Sequence, residues 1–297
     1  MKIRVVGKQP LAKDVVGLTL EGDALPSWTP GAHIDLHLPG GLVRQYSLCG
    51  DPADTRTWRV AVLREPNGRG GSAAVHDMVA EGDTLTVDGP RNHFSLEDAE
   101  GYLFLAGGIG ITPILPMVAE TARRGRPWHL AYGGRAPESM AFRDELSRWP
   151  EHVTLYEGRH LDLDRLFAAV TPDTAVYCCG PATLLEAVEK RSDAPHVERF
   201  SAQAAGDEGD EFEVELASTG RVITVPAGRS VLAALRGAGC ELLSSCEEGT
   251  CGTCETGVLD GIPDHRDAVL TAAEQAQDDV MMICVSRAKT PRLVLDL

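Results

Sequence analysis

Four cysteines carry the clearest chemical signal in the chain. Cys246, Cys251 and Cys254 fall within Cys246-Glu247-Glu248-Gly249-Thr250-Cys251-Gly252-Thr253-Cys254, and Cys284 follows Cys254 by 30 positions. The C-x4-C-x2-C…C pattern is the plant-type spacing for the ligands of a [2Fe-2S] cluster. Thiolates wrapped round a compact cluster need a backbone that turns tightly over its sulfides, and Gly249 and Gly252 lack the Cβ that opposes such turns. Neighbouring amide N–H groups then donate to the sulfurs and help set the potential. A structural zinc site more often presents two separated ligand pairs, which three cysteines in one loop and a distant fourth fit poorly. Cys240 lies outside the pattern and reads as a small core residue. A cluster of this type moves one electron at a time, so a one-electron acceptor is implied.

Two further stretches could hold nucleotides. Arg44-Gln45-Tyr46-Ser47-Leu48 supplies, along one extended run, a cation for a phosphate, an aromatic to flank a flavin ring and a hydroxyl for ring heteroatoms. Arg69-Gly70-Gly71-Ser72 precedes an expected helix whose free N–H groups make a phosphate seat. Each is weak alone. Leu103-Phe104-Leu105-Ala106-Gly107-Gly108-Ile109-Gly110-Ile111-Thr112-Pro113 runs from an apolar strand through a glycine turn into a helix, a layout that brings backbone close to a pyrophosphate. It is not G-x-G-x-x-G, and a plain strand-to-helix turn accounts for it equally well. Val176-Tyr177-Cys178-Cys179-Gly180-Pro181 repeats the layout.

The elements that must position these residues follow three patterns. Short β runs (Ile3–Val6, Val15–Leu20, His33–Leu38, Gln45–Leu48, Trp58–Leu63, Thr84–Val87) separated by Gly, Pro and Asp predict a small antiparallel β-barrel or sandwich. From Gly101 to about Phe200, strands at Tyr102–Ala106, Trp128–Tyr132, His152–Tyr156 and Ala175–Cys178 alternate with helices. The helices are expected at Pro113–Arg124, Ser139–Trp149, Leu163–Ala169 and Ala182–Arg191, and the alternation predicts a parallel sheet in an α/β domain. Phe212–Leu216 and Arg221–Val225 form a hairpin-like pair, followed by a helix at Ser230–Ala238 and the cysteine loop, an α+β arrangement. The expected division is 1–98 (flavin barrel), 99–203 (nucleotide domain), 204–211 (acidic linker) and 212–297 (ferredoxin domain).

A formal charge of −16 argues against nucleic acid as a partner. Residues 212–297 hold thirteen carboxylates against seven Lys or Arg, so a positively charged protein partner suits this third; acidity that merely confers solubility suits it equally. No run reaches the roughly 20 apolar residues of a membrane-spanning helix, and no secretory signal opens the chain. A cytoplasmic monomer is the expectation.

R-x-Y-S-L, then G-G-x-G-I-T-P, then C-G-P, with a plant-type ferredoxin following, resembles the phthalate dioxygenase reductase and vanillate demethylase reductase family over essentially the whole length. Arg69 to Ser72 and Pro90-Arg91-Asn92-His93-Phe94 also look like that family. The resemblance implies that Arg44, Tyr46, Ser47, Leu48, Gly70, Gly71 and Ser72 bind flavin, as FMN. It implies that Gly107, Gly108, Gly110 and Thr112 line the nicotinamide site, with Thr112 near the flavin ring, and that Cys179, Gly180 and Pro181 sit beside the nicotinamide. Phe200 matches the family's aromatic near the flavin; a core or linker anchor is its plain alternative. Cys246, Cys251, Cys254 and Cys284 ligate the cluster.

Arg135 follows the second strand of the nucleotide domain, where the ribose 2′ position is discriminated, and an arginine there could favour NADPH; the family's habit favours NADH. The implied activity is an NADH-dependent reductase feeding a terminal oxygenase of Rieske type that acts on an aromatic compound. A haem-thiolate monooxygenase as acceptor, an electron-transfer subunit of a larger dehydrogenase and a redox sensor are the alternatives. The electron path needs no general base, so no catalytic residue is assigned.

Overall fold

The computed structural model describes residues 1–200 and 209–297. The described chain divides into two compact units, Met1–Glu198 and Arg199–Leu297. The expected linker at 204–211 lies outside the described residues except for its last three.

The first unit begins with β1 (Lys2–Ala12), β2 (Val15–Glu21), β3 (His33–Leu38), β4 (Leu42–Ser47), β5 (Thr57–Leu63), the short helix α1 (Gly71–Asp77) and β6 (Thr84–Arg91). These strands form an antiparallel sheet in the order β4-β3-β6-β1-β2-β5. A bridge between Leu48 and Val60, with the Cys49 amide donating to the Arg59 carbonyl at 2.8 Å, joins the two edges into a barrel. Every second residue points inward: Ile3 and Val5, Leu18 and Leu20, Ile34 and Leu36, Trp58, Val60 and Val62, Leu85 and Val87 are buried in one core. That two-residue period makes the barrel readable from sequence.

The unit continues with β7 (Gly101–Gly107), α2 (Ile111–Arg124), β8 (Trp128–Gly134), α3 (Arg143–Leu146), β9 (Val153–Glu157), α4 (Leu163–Phe167), β10 (Thr174–Cys179), α5 (Ala182–Glu189) and β11 (His196–Glu198). Its parallel sheet runs β11-β10-β7-β8-β9. Residues 102–106 are buried on both faces, the continuous apolar run of a covered parallel strand. From β7 the chain steps outward to β8 and β9, then returns to the other side for β10 and β11. The order therefore reverses between β7 and β10, where open α/β sheets bind ligands.

One expected helix is broken. Instead of Ser139–Trp149 there is a 3-10 turn at Pro137–Ser139, then Phe142 at φ +64°, then α3. Met140, Ala141 and Phe142 are buried in the core shared by barrel and sheet, and the Arg59 guanidinium lies 5.0 Å over the Phe142 ring. Burial of three apolar residues in a row overrides helix periodicity here. Arg59 of β5 also pairs with both oxygens of Glu145 in α3, at 2.7 and 2.8 Å, tying barrel to sheet.

The second unit holds β12 (Phe212–Leu216), β13 (Arg221–Val225), α6 (Val231–Gly237), β14 (Glu255–Asp260), β15 (Pro263–Asp264), α7 (Ala272–Gln275), β16 (Val280–Met282), β17 (Arg287–Ala288) and β18 (Arg292–Leu295). The main sheet runs β13-β12-β18-β14-β16, with β12 and β18 parallel, and β15 pairs with β17. This is a β-grasp arrangement. Ser230 caps α6 by accepting from the Ala233 amide, and Val231, Leu232 and Leu235 bury its inner face. Among the described residues, no helix is long and apolar enough to cross a membrane.

Candidate functional site

The expected phosphate seat is built on β4 and α1. The Arg44 guanidinium donates to the Val43 and Arg69 carbonyls, each at 2.7 Å, and so holds the turn that leads into α1. Gly70 caps the helix at φ +81°. A Cβ on Gly71 would stand 2.4 Å from Arg44 Cγ, so only glycine lets the arginine lie against the helix start. Ser72 Oγ accepts from the Glu65 amide at 3.0 Å, closing the loop. At the other end of α1, Lys8 Nζ donates to the carbonyls of Val75, His76 and Val79 at 2.9, 2.7 and 2.7 Å. A cation there balances the negative end of the helix and fixes the direction of its opposite, amide-rich end. Sequence reading misses Lys8: a lone lysine on a long strand carries no signal until the fold brings α1 to it.

Tyr46 is half-buried, and burial pushes its phenol well above the ordinary value against the pull of Arg44, so it stays a neutral donor. Ser47 is buried. Leu48 belongs to the barrel core with its side chain fully enclosed, and its amide donates to Ala32; only its carbonyl remains to face a ligand. One residue on, Cys49 packs in the same core as Ile111, Ile114 and Leu115 of α2. This shared core brings the end of the expected flavin strand against the start of α2.

That turn and its counterpart end the two strands that flank the reversal of sheet order. A 3-10 turn at Gly108–Gly110 starts with Gly108 at φ +55°. A Cβ on Gly180 would meet Gly107 Cα and N at 3.0 Å, and a Cβ on Gly107 would meet Pro181 Cδ at 2.6 Å. The two backbones approach as closely as only glycine permits, leaving amides rather than side chains along the crevice. Thr112 is buried, its hydroxyl donating to the Ile109 carbonyl at 2.9 Å. Arg135 is exposed just past β8, and Arg159, over the Tyr156 ring at 5.0 Å, stands just past β9. Phe200, two residues after β11, is 45% exposed.

Cys179 is fully buried at the end of β10, and burial, then the neighbouring Glu198, pushes its thiol well above the ordinary value. Glu198 is its register partner on β11, with Cys179 Sγ 3.9 Å from Oε2. Burial raises the Glu198 carboxyl to about 8. Nothing in the sequence around Glu198 marks this carboxyl, because only the β10–β11 pairing sets it beside the thiol.

A cleft of about 810 Å³ lies elsewhere in this unit, between the loop after β4 and helices α2 and α3. None of the expected cofactor residues lines it, and the Arg59–Glu145 pair borders it.

In the second unit the four expected ligands converge. Cys246 faces the thiols of Cys251 and Cys284, and Cys254 faces that of Cys284. Hydrogen bonds from Cys251 and then Cys284 pull the Cys246 thiol below its ordinary range. The Glu248 and Thr250 amides donate to Cys246 Sγ at 3.3 and 3.4 Å, as the turn at Gly249 (φ +67°) requires. Buried sulfurs with amide donors are the ligand set a [2Fe-2S] cluster needs. Cys240 packs against the domain core, outside the group.

Comparison with known proteins agrees with this geometry. Residues 104–161 match the oxidoreductase NAD-binding domain, and residues 214–289 match the 2Fe-2S iron-sulfur cluster binding domain. The chain is 44% identical to the phenoxybenzoate dioxygenase subunit beta of Ectopseudomonas oleovorans, over 93% of this chain and 89% of that one. It is 38% identical to the phthalate dioxygenase reductase of Burkholderia cepacia, over 100% and 97%. A solved phthalate dioxygenase reductase, described as modular for electron transfer from pyridine nucleotides to [2Fe-2S], superposes with a TM-score of 0.73 over 100% of this chain and 98% of that one, at 38% identity. An intact type IV self-sufficient cytochrome P-450 monooxygenase matches at 44% identity and a TM-score of 0.93. This chain is covered in full there but spans only 41% of that longer protein. With its barrel, nucleotide domain and ferredoxin domain all matched in order, the chain belongs to the phthalate dioxygenase reductase family of NADH-dependent oxidoreductases, which use FMN and a [2Fe-2S] cluster.

Proposed function

We propose that this protein supplies electrons from NADH to a separate terminal oxygenase of Rieske type acting on an aromatic compound. The observation that carries the reading is the pairing of two glycine turns at the reversal of sheet order, beside a flavin strand, in a chain that also holds a four-cysteine loop. When bound, FMN takes an electron pair from NADH and passes electrons singly to the [2Fe-2S] cluster. Arg44 and the amides of Gly70, Gly71 and Ser72 hold the flavin phosphate. Tyr46, Ser47 and the Leu48 carbonyl orient the ring, and Phe200 covers it. Gly107, Gly108, Gly110 and Thr112 seat the nucleotide, with Arg135 at its ribose. Cys179, Gly180 and Pro181 flank the nicotinamide. Cys246, Cys251, Cys254 and Cys284 ligate the cluster.

The protein works as a cytoplasmic monomer whose domains divide at 1–98, 99–203, 204–211 and 212–297. The eight cysteines, all free of disulfides, suit a reducing compartment. A second acceptor, a haem-thiolate monooxygenase, is favoured by the TM-score of 0.93 to the self-sufficient enzyme. An anaerobic visible spectrum before and after stoichiometric NADH, with the released flavin identified chromatographically, tests the path. Bleaching of flavin and cluster bands with release of FMN is expected; an absent cluster band or no reduction overturns it. Turnover with each class of oxygenase then separates the acceptors.

Two substitutions probe the seats. Arg44→Gln removes a charge-assisted phosphate contact, for which about 1.5–3 kcal/mol is typical, and should weaken FMN binding roughly ten- to a hundred-fold; fluorescence titration of the apoprotein would read it, and native affinity would exclude the arginine. Glu198, raised from 4.5 to about 8, favours the folded state fully below about 4.5 and loses that contribution as pH rises through about 8. Wild-type melting temperature should therefore fall between about pH 4.5 and 8 by a component that Glu198→Gln abolishes. Parallel curves for the two proteins would show that the carboxyl is already ionised at neutral pH.

A further inference from the structure

A docking role for any face of the ferredoxin domain rests on the reductase reading, since only then must electrons leave the cluster through that surface. Leu243 lies three residues before Cys246 and is 81% exposed, more than any other large apolar side chain among the described residues. A single exposed leucine is ordinary on a mobile loop, but this one is held. Arg236, from the last turn of α6, donates to the Leu242 carbonyl at 2.9 Å, to Ser244 Oγ at 2.6 Å and to Glu247 Oε1 at 2.7 Å. Ser244 in turn donates to Glu247 at 2.8 Å. The residues on both sides of Leu243 are thus pinned to one guanidinium, and the side chain between them is presented rather than tucked away.

Arg236 apart, the sequence around it carries one sign of charge. From Gly237 to Asp264 the sequence has six carboxylates and no Lys or Arg. Glu241 and Glu255 are exposed, and the Glu247 side chain is 53% exposed even while paired. A held apolar knob in an acidic stretch of chain, three residues before an expected cluster ligand, matches the anatomy of an interface centre with a charged rim.

We infer that Leu243 is the docking anchor for the electron acceptor, a protein whose accepting face carries an apolar recess ringed by lysine or arginine. The carboxylates of this stretch steer that face in, and Leu243 fills the recess; Arg236 keeps it ready, so little ordering remains for the encounter.

The test uses the full-length holoprotein with cytochrome c, a haem protein with a lysine-ringed apolar edge, and with ferricyanide, too small to need a docked face. Leu243→Ser should lower kcat/KM for cytochrome c about ten-fold, mainly through KM. Leu243→Met should restore it. NADH–ferricyanide turnover and the cluster absorbance should match wild type in both. Unchanged cytochrome c kinetics in Leu243→Ser overturns the docking role. A parallel loss of cluster absorbance makes the residue structural and overturns it too. A wild-type holoprotein that passes no electrons from NADH to ferricyanide overturns the reductase reading instead.

Discussion

Gly110→Ala should lower kcat/KM for NADH by about a hundred-fold or more while FMN and cluster remain bound, because misplacement of about 1 Å near the reacting groups costs on that order. A Cβ at Gly110 would stand 2.2 Å from the Cys179 carbonyl oxygen, 2.4 Å from its carbon and 2.8 Å from the Gly180 nitrogen. All three are backbone atoms of the opposing turn, so no side chain can swing aside. Relief requires the two turns to part, and their separation is the width of the crevice proposed to hold the nucleotide. Gly125→Ala, just past the end of α2 and outside the nucleotide seat, is the matched control: its φ of +67° brings strain, but no contact from the rest of the fold lies within 4 Å of the added methyl. It should cost only about 1–2 kcal/mol of stability and little of the NADH reaction. Stopped-flow reduction by NADH, with flavin content and melting temperature measured alongside, reads both. Wild-type reduction kinetics in Gly110→Ala would remove the crevice from the mechanism.

The second large effect is expected at Gly249. Its φ is +67°, and a Cβ would meet Val285 Cγ2 at 2.5 Å and Asp267 Cα at 3.0 Å. Val285 follows Cys284, while Gly249 lies between Cys246 and Cys251, so the clash drives apart the two segments that bear the cluster ligands. It also disturbs the turn that aims the Glu248 and Thr250 amides at Cys246. Gly249→Ala should therefore lose most cluster absorbance and lower NADH–cytochrome c turnover about a hundred-fold. NADH–ferricyanide turnover should survive, since the flavin unit is untouched. Retained cluster and cytochrome c turnover would show that the loop tolerates a side chain at this position.

What can be read from sequence divides along a physical line. Residues that act through local backbone freedom or through their own element's spacing are legible: the glycines of both turns, the four cysteines and the alternating core of the barrel. Phe212–Leu216 and Arg221–Val225 are delimited correctly because each strand has a polar turn beside it and alternation within it. The strands from Glu255 onward are not anticipated. Two-residue pairings such as Pro263–Asp264 with Arg287–Ala288 have no period to detect. The break at Phe142 escapes notice because its cause, burial against the barrel and Arg59, is tertiary. Lys8, Glu198 and Arg236 escape for the same reason. Each is a single charged residue whose partners lie on another element.

The parallel pairing of β12 with β18 puts the strand made last in the ferredoxin domain at the middle of its sheet. During synthesis the cysteine loop emerges with neither Cys284 nor that central strand to close around it. The flavin unit, complete by Glu198, can fold while the cluster domain is still open. Iron and sulfide delivery must then wait until Cys284 has emerged, so scarcity of iron in a growing cell should accumulate protein with a folded first unit and no cluster.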